Sequence, residues 1–259
     1  MNFDETEEIT MLRDTIRKFV ETALSREEAR QLEADADFNR ETFRKLCDLG
    51  VAGLTIPKKY GGSGINIVAA IAVIEELTRR GTSLAGPFIH CAFYGGLNIV
   101  ENGCELQRQE LLPKLARGEL LFAYGLSEPD VGGDLASVRV TAGMNDSRSH
   151  VKINGTKRWC TGVRIADYIY TLVRSGSAEN RYKNLSLVLV PTDSPGIELV
   201  DINHTGLRYS RSSIAPPVAH IALSWYMGTP VIPTFIIRSM PVPSFLTTTL
   251  PASTYSISL

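Results

Sequence analysis

The spacing of apolar residues changes once along this 259-residue chain, near residue 120, and that change constrains the fold more than any other feature. Before it, apolar positions recur every three or four residues, the period of an amphipathic helix. Ile9, Leu12, Ile16, Phe19 and Ala23 share one helical face, with Asp4 and Glu7 spaced as a capping box. Asn39 is placed to cap a second helix that buries Phe43, Leu46 and Leu49 and stops at Gly50. Asn66 is placed to cap a third, through Ile67, Ile71, Ile74 and Leu77, stopped by Gly81. A fourth is expected from about 87 to 102 and a short fifth over 107–112. Pro113 should then begin a new piece, because it has no N–H to give. The glycine-rich loop 57–64 reads as a plain connection, since no Lys-Ser/Thr pair follows its glycines.

Beyond residue 120 the period falls to two. Strands are predicted over 121–126, 137–142, 150–153, 168–174, 185–190 and 197–200. Turn signals such as Asn154-Gly155 and Asp193-Ser-Pro-Gly196 separate them. A helical block followed by a strand block predicts an α+β protein: an all-helical domain over 1–120, then an antiparallel β-barrel-like domain over 121–210. A third zone, 211–259, resembles neither. No Asp, Glu or Lys follows Asp201, and seven of the thirteen prolines lie from Pro216 onward. An ordinary soluble domain keeps about a quarter of its residues charged, so this zone is expected to be an atypical, unstructured tail. A reading-frame change near codon 210 would produce such a composition. Its most apolar run, 221–237, is short for a membrane span and broken by Gly228, Pro230 and Pro233.

The formal charge of −1 gives no electrostatic case for nucleic acid or an anionic membrane. Cys47, Cys91, Cys104 and Cys160 form no C-x-x-C pair, which suits reduced thiols and a cytoplasmic location. His90, His150, His204 and His220 show no metal-ligand spacing, so no metal site is expected, and they read as structural or surface residues. The acidic N-terminus is unlike a signal or transit peptide.

Two segments narrow function. One is Phe122-Ala-Tyr-Gly-Leu-Ser-Glu-Pro-Asp-Val-Gly-Gly-Asp134; the other is Asn154-Gly-Thr-Lys-Arg-Trp-Cys-Thr161. Each joins a strand-like run to a polar turn and carries a short hydroxyl, Ser127 or Thr161. Trp159 lies beside the second. An aromatic face with hydroxyl and backbone donors around it suits a flat ring with polar edges. Taken alone, Trp159 reads as a core aromatic.

Six stretches in order resemble the N-terminal and middle domains of acyl-CoA dehydrogenases. They are Phe38-Asn-Arg-Glu-Thr-Phe-Arg-Lys-Leu46, Gly53-Leu-Thr-Ile-Pro-Lys-Lys-Tyr-Gly-Gly62, Leu112-Pro-Lys-Leu-Ala-Arg-Gly-Glu119, the Ser-Glu-Pro segment, the Asn-Gly-x-Lys-x-Trp-x-Thr segment, and Gly206-Leu-Arg208. The resemblance implies FAD as cofactor and dehydrogenation of an acyl-CoA thioester to the trans-2-enoyl-CoA. A carboxylate takes the α-proton, and electrons pass to electron-transfer flavoprotein or a similar acceptor. It implies that Tyr124, Leu126 and Ser127 contact the isoalloxazine, that Trp159 covers it, and that Thr161 donates to N5. Gly132 and Gly133 would admit the phosphates. Glu128, Asp130 and Asp134 are expected in turn and capping duties, and Glu128 is not nominated as base.

The chain departs from the family pattern in places. Gly133 stands where Ser is common, and Gly162 where Asn is frequent, a change expected to matter little. The C-terminal helical domain, which in the family supplies the base and the homo-oligomer interface, is not recognisable. The catalytic base is therefore unassigned, and a truncated, weakly active or inactive enzyme is expected. A non-catalytic fragment that binds flavin, acyl-CoA or a partner, and a flavin oxidase or monooxygenase on the same scaffold, stay open as alternatives.

Overall fold

The computed structural model describes residues 4–35, 37–79, 83–144, 150–175, 184–201, 212–215, 219–222 and 236–237. Seven α-helices fill the first part: α1 (Glu7–Ala23), α2 (Arg26–Asp35), α3 (Arg40–Cys47), α4 (Ile67–Thr78), α5 (Ala85–Phe88), α6 (Asn98–Asn102) and α7 (Glu105–Ala116). A π-helix, Ile89–Leu97, joins α5 to α6 without a break. The second and third predicted caps are present: Asn39 Oδ1 accepts from Thr42 N–H and Asn66 Oδ1 from Ala69 N–H, both at 3.0 Å.

Two local expectations are corrected, and one cap was not foreseen. Thr6, not Asp4, caps α1 (its hydroxyl faces the Ile9 N–H), because the helix starts at Glu7 and so leaves Glu7 one residue past the cap. Helix α2 has a reciprocal capping box: Ser25 Oγ accepts from Glu28 N–H at 3.1 Å, and Glu28 accepts from Ser25 N–H at 2.9 Å. That Ser-x-x-Glu signal was available in the sequence. Pro113 lies inside α7 rather than at a break. Leu111, Leu112 and Leu115 are fully buried around it, and three such burials, at about 1.5–3 kcal/mol each, outweigh the missing hydrogen bond.

The strands are β1 (Phe122–Gly125), β2 (Thr141–Met144), β3 (His150–Asn154), β4 (Tyr168–Arg174), β5 (Leu185–Pro191), β6 (Glu198–Asp201), β7 (Ser212–Ala215), β8 (Ala219–Ala222) and β9 (Ile236–Ile237). The main sheet runs β8-β3-β2-β4-β5-β9, with β1 also on β4, while β6 and β7 pair separately. The barrel-like, antiparallel expectation is corrected: among the described residues the sheet is open, and both β1 and β2 run parallel to β4. It has no need to curl upon itself, because helices cover one face. Phe122, Tyr170, Leu172, Leu187 and Leu189 join the helical core, while Val140, Val151, Ile153, Val173, Val188 and Val190 form a separate cluster. The expectation of an unstructured zone over 211–259 is corrected where β7, β8 and β9 pair with β6, β3 and β5. Each of these strands carries a β-branched isoleucine, which favours extended backbone along an existing edge. The rest of that zone lies outside the described residues, as do Gly81 and the Gly206-Leu-Arg208 stretch. No described helix is long and apolar enough to cross a membrane.

Helices α1 and α4 are clamped by Glu76, 1% exposed, which meets Arg13 at 3.3 Å, Arg17 at 3.1 Å and Arg79 at 2.6 Å. Burial pushes its carboxyl up, but the guanidinium groups outweigh this and hold it below 4.5. A carboxyl lowered on folding adds stability that is full above its unfolded value and is lost as pH falls through the folded one. Glu76→Gln is therefore expected to lower Tm at neutral pH and to flatten the loss of Tm between about pH 5 and pH 3. Thermal melts across that range check both.

Candidate functional site

Strand β5 occupies one whole edge of β4. The other edge is shared: β1 covers Tyr168 to Thr171, and β2 meets Arg174. The chain between β1 and β2, residues 126–140, must therefore leave the sheet and return. That excursion begins with residues 126–134 of the first segment, whose opening residues form β1. Glu128 and Val131 close its neck with two backbone hydrogen bonds of 2.8 and 3.2 Å. The second segment leaves the end of β3 through Gly155, at φ +136°, and reaches Lys157, Arg158 and Trp159.

The two segments are bonded to each other. Arg158 N–H donates to the Ser127 carbonyl at 2.8 Å. Lys157 Nζ donates to the Leu126 carbonyl at 2.9 Å and to Glu128 Oε1 at 2.8 Å. Glu128 also accepts the N–H groups of Arg139 at 2.7 Å and Val140 at 3.0 Å. Its role is thus not that of a local cap: every partner but Val131 is at least eleven residues away. Burial would raise the carboxyl, but Lys157 and the two N–H groups hold it low and ionised; burial in turn pulls the Lys157 ammonium below its usual value.

Trp159 is the one described non-glycine residue with positive φ, at 62°. That conformation costs about 1–2 kcal/mol for a residue with a Cβ. The indole is nevertheless 51% exposed, with the Arg158 guanidinium 4.7 Å from its ring centre. An aromatic that is both strained and exposed marks a functional surface better than a packing role, and the core reading of Trp159 is set aside. Thr161 N–H donates to the Trp159 carbonyl at 3.0 Å, which closes a tight turn. Both Ser127 and Thr161 are half-buried beside it.

Behind this turn lies His90, on the π-helix. Its Nδ1 is 2.8 Å from the Phe122 carbonyl, and burial lowers its pKa, so the ring is neutral and donates there. Gly162 lies against the other side of that ring at φ +72°, and a Cβ there would overlap His90 Cε1 and Nε2. The expectation that Gly162 matters little is thereby corrected: its missing Cβ is the space the imidazole fills. Cys160 is fully buried, which pushes its thiol up to about 12 and leaves it unreactive.

Tyr124 turns inward. Its ring lies 4.3 Å from that of Tyr94 and 5.7 Å from that of Tyr170, and its hydroxyl bonds Asn98. Burial raises the pKa of Tyr94 and Tyr124, which stay neutral. Leu126 is half-buried at the neck. Gly132 and Gly133 are exposed, and a Cβ on either would meet nothing within 4 Å. The structure brings Leu126, Ser127, Trp159 and Thr161 together, and sets the two glycines on the open loop beyond. Lys157, His90, Asn98 and Tyr94 were given no site role from the sequence, although Lys157 lies in the Asn-Gly-x-Lys-x-Trp-x-Thr motif; only the tertiary contacts mark them.

An exposed aromatic face, two neighbouring hydroxyls and a glycine pair facing open space fit a flat ring with polar edges and an anionic group nearby. Residues 6–119 match the acyl-CoA dehydrogenase N-terminal domain, and residues 123–214 match the acyl-CoA dehydrogenase middle domain. Benzylmalonyl-CoA dehydrogenase of Aromatoleum aromaticum is 34% identical over 199 residues, which is 76% of this chain and 50% of that protein. Glutaryl-CoA dehydrogenase of Desulfococcus multivorans is 31% identical over 222 residues, 81% of this chain and 54% of that protein. The crystal structure of an acyl-CoA dehydrogenase from Geobacillus kaustophilus superposes with a TM-score of 0.76 at 27% identity, over 86% of this chain and 58% of the other. The chain spans about half the length of the curated relatives it matches.

Proposed function

The chain belongs to the acyl-CoA dehydrogenase family, and on that premise we propose that residues 122–162 form one wall of an FAD site serving α,β-dehydrogenation of an acyl-CoA thioester. The observation that carries this reading is Trp159, half-exposed in a left-handed conformation beside Ser127 and Thr161. Among the described residues the indole gains a contact with the Arg158 guanidinium but stays half-exposed, and a ring laid against it would offset the strain.

Flavin, when bound, supplies the hydride acceptor for the β-carbon. The chain's own residues hold and orient it. Ser127, through its N–H and hydroxyl, and Thr161, through its hydroxyl, would hold the polar edge of the flavin, and Trp159 would cover the ring on the side open to electron-transfer flavoprotein or a similar acceptor. Gly132 and Gly133 leave backbone N–H groups accessible to phosphate oxygens. Glu128 takes no proton from substrate: it is buried, and its ion pair with Lys157 and two N–H bonds hold it ionised in place. The acyl-CoA itself is the proposed substrate, and Tyr94 and Tyr124 keep uncharged hydroxyls beside the flavin wall.

Titrating purified protein with FAD tests the proposal. Bound flavin is expected to show a resolved, shifted visible band and altered flavin fluorescence, both lost in Trp159→Ala combined with Thr161→Ala. An unshifted free-flavin spectrum at FAD concentrations up to about 1 mM, the weak end of specific binding, would reject it.

A further inference from the structure

Lys157 has no part in the flavin contacts just described, yet it is the charged side chain most completely buried beside them, at 1% exposure. We propose that Lys157 is a positioning residue whose ammonium fixes the Ser127 turn against the Trp159–Thr161 turn and so sets how tightly flavin is held, an inference that rests on the FAD reading above.

The contacts are specific. One ammonium holds the Leu126 carbonyl at 2.9 Å and the Glu128 carboxylate at 2.8 Å, the two residues that flank Ser127. The Ser127 carbonyl itself is held by the N–H of Arg158, the next residue after Lys157. Ser127 is thus gripped on three sides by a dipeptide that leads directly into Trp159. The lysine stem reaches these partners across Gly125, where its Cγ would lie 3.5 Å from an added Cβ. Glu128 carries the coupling further, to the N–H groups of Arg139 and Val140, where the chain returns towards β2.

Stability alone does not call for a buried lysine here. A buried ion pair often adds no more stability than apolar side chains of the same volume. An apolar side chain could fill the space, but it could not hold a carbonyl and a carboxylate on either side of one residue. Defined geometry is what the pair supplies, and geometry within about half an ångström is what a cofactor wall demands.

The test uses the full chain with Trp225→Phe, which leaves Trp159 as its single tryptophan. Lys157→Arg, Lys157→Met and the double variant Glu128→Gln with Lys157→Met are introduced into it. The double variant removes both charges and so guards against simple misfolding. Three quantities are read: Tm, acrylamide quenching of Trp159 without flavin, and the FAD dissociation constant. The double variant is expected to keep a Tm near that of its parent. Its Trp159 should be more readily quenched and its FAD affinity about tenfold or more weaker, the scale of losing a well-placed polar contact. Lys157→Arg should fall between the double variant and the parent. Parental quenching and parental FAD affinity in the double variant would overturn the proposal. So would affinity that merely tracks Tm across the set. Should the parent itself bind no FAD, the flavin reading falls, and Trp159 quenching alone decides whether Lys157 positions the turns.

Discussion

Glu128→Ala is expected to destabilise the protein by about 3–5 kcal/mol, the range for removing one member of a buried ion pair. The magnitude follows from what is left behind. Lys157 is 1% exposed and cannot reach water without moving the Leu126 neck. The N–H groups of Arg139 and Val140 lose their acceptor in the same step. For a chain of this size the shift in Tm is roughly 6–20 °C, readable by calorimetry or circular dichroism. Glu128→Gln should cost less, because its carbonyl oxygen still accepts one or two of these bonds. A loss below about 1 kcal/mol for alanine, the worth of a surface pair, would show that water replaces the carboxylate.

The second large effect is expected at Gly162. Gly162→Val should cost about 2–4 kcal/mol, combining a left-handed backbone with overpacking. Its φ is +72°, and an added Cβ would overlap the His90 ring. The ring has little room to retreat, since Nδ1 is tied to the Phe122 carbonyl and Tyr94 packs edge-on at 4.9 Å. Gly162→Ala should cost less, and His90→Ala combined with Gly162→Ala should cost less than the sum of the two singles. Urea denaturation of the four proteins forms the double-mutant cycle that measures this coupling. Additive losses would mean that backbone strain alone, without the imidazole contact, explains the glycine.

Much of the architecture was legible in the residues. The helical and strand zones meet where the apolar period changes, and β4 begins and ends as its pattern predicts. Asn39 and Asn66 cap their helices because an Asn side chain before an apolar-periodic run has few better uses. Elements failed where a distant contact outweighed local propensity. Pro113 stays inside α7 because buried leucines surround it. The strand predicted over 137–142 starts late, at Thr141, because a short turn of helix over Leu135–Ser137 and the bonds from Arg139 and Val140 to Glu128 keep this stretch out of a regular ladder, although Arg174 of β4 bonds the Ala136, Val138 and Val140 carbonyls. The sheet is open and mixed because β1 and β2 share one edge of β4, a pairing that period-two alternation does not encode.

The candidate site divides in the same way. Ser127, Trp159 and Thr161 could be named from their motif, since hydroxyls and an aromatic in polar turns carry their chemistry in their residue types. Sequence by itself therefore determined the family, the two zones and the residues proposed for a flavin. The tertiary structure alone decided how those residues are held. It put Trp159 into a left-handed backbone, filled the missing Cβ of Gly162 with His90, and joined Glu128 to Lys157 across twenty-nine positions. A buried charge is stable only beside its partner, and that partnership forms when β1 and β3 deliver their ends to the same place.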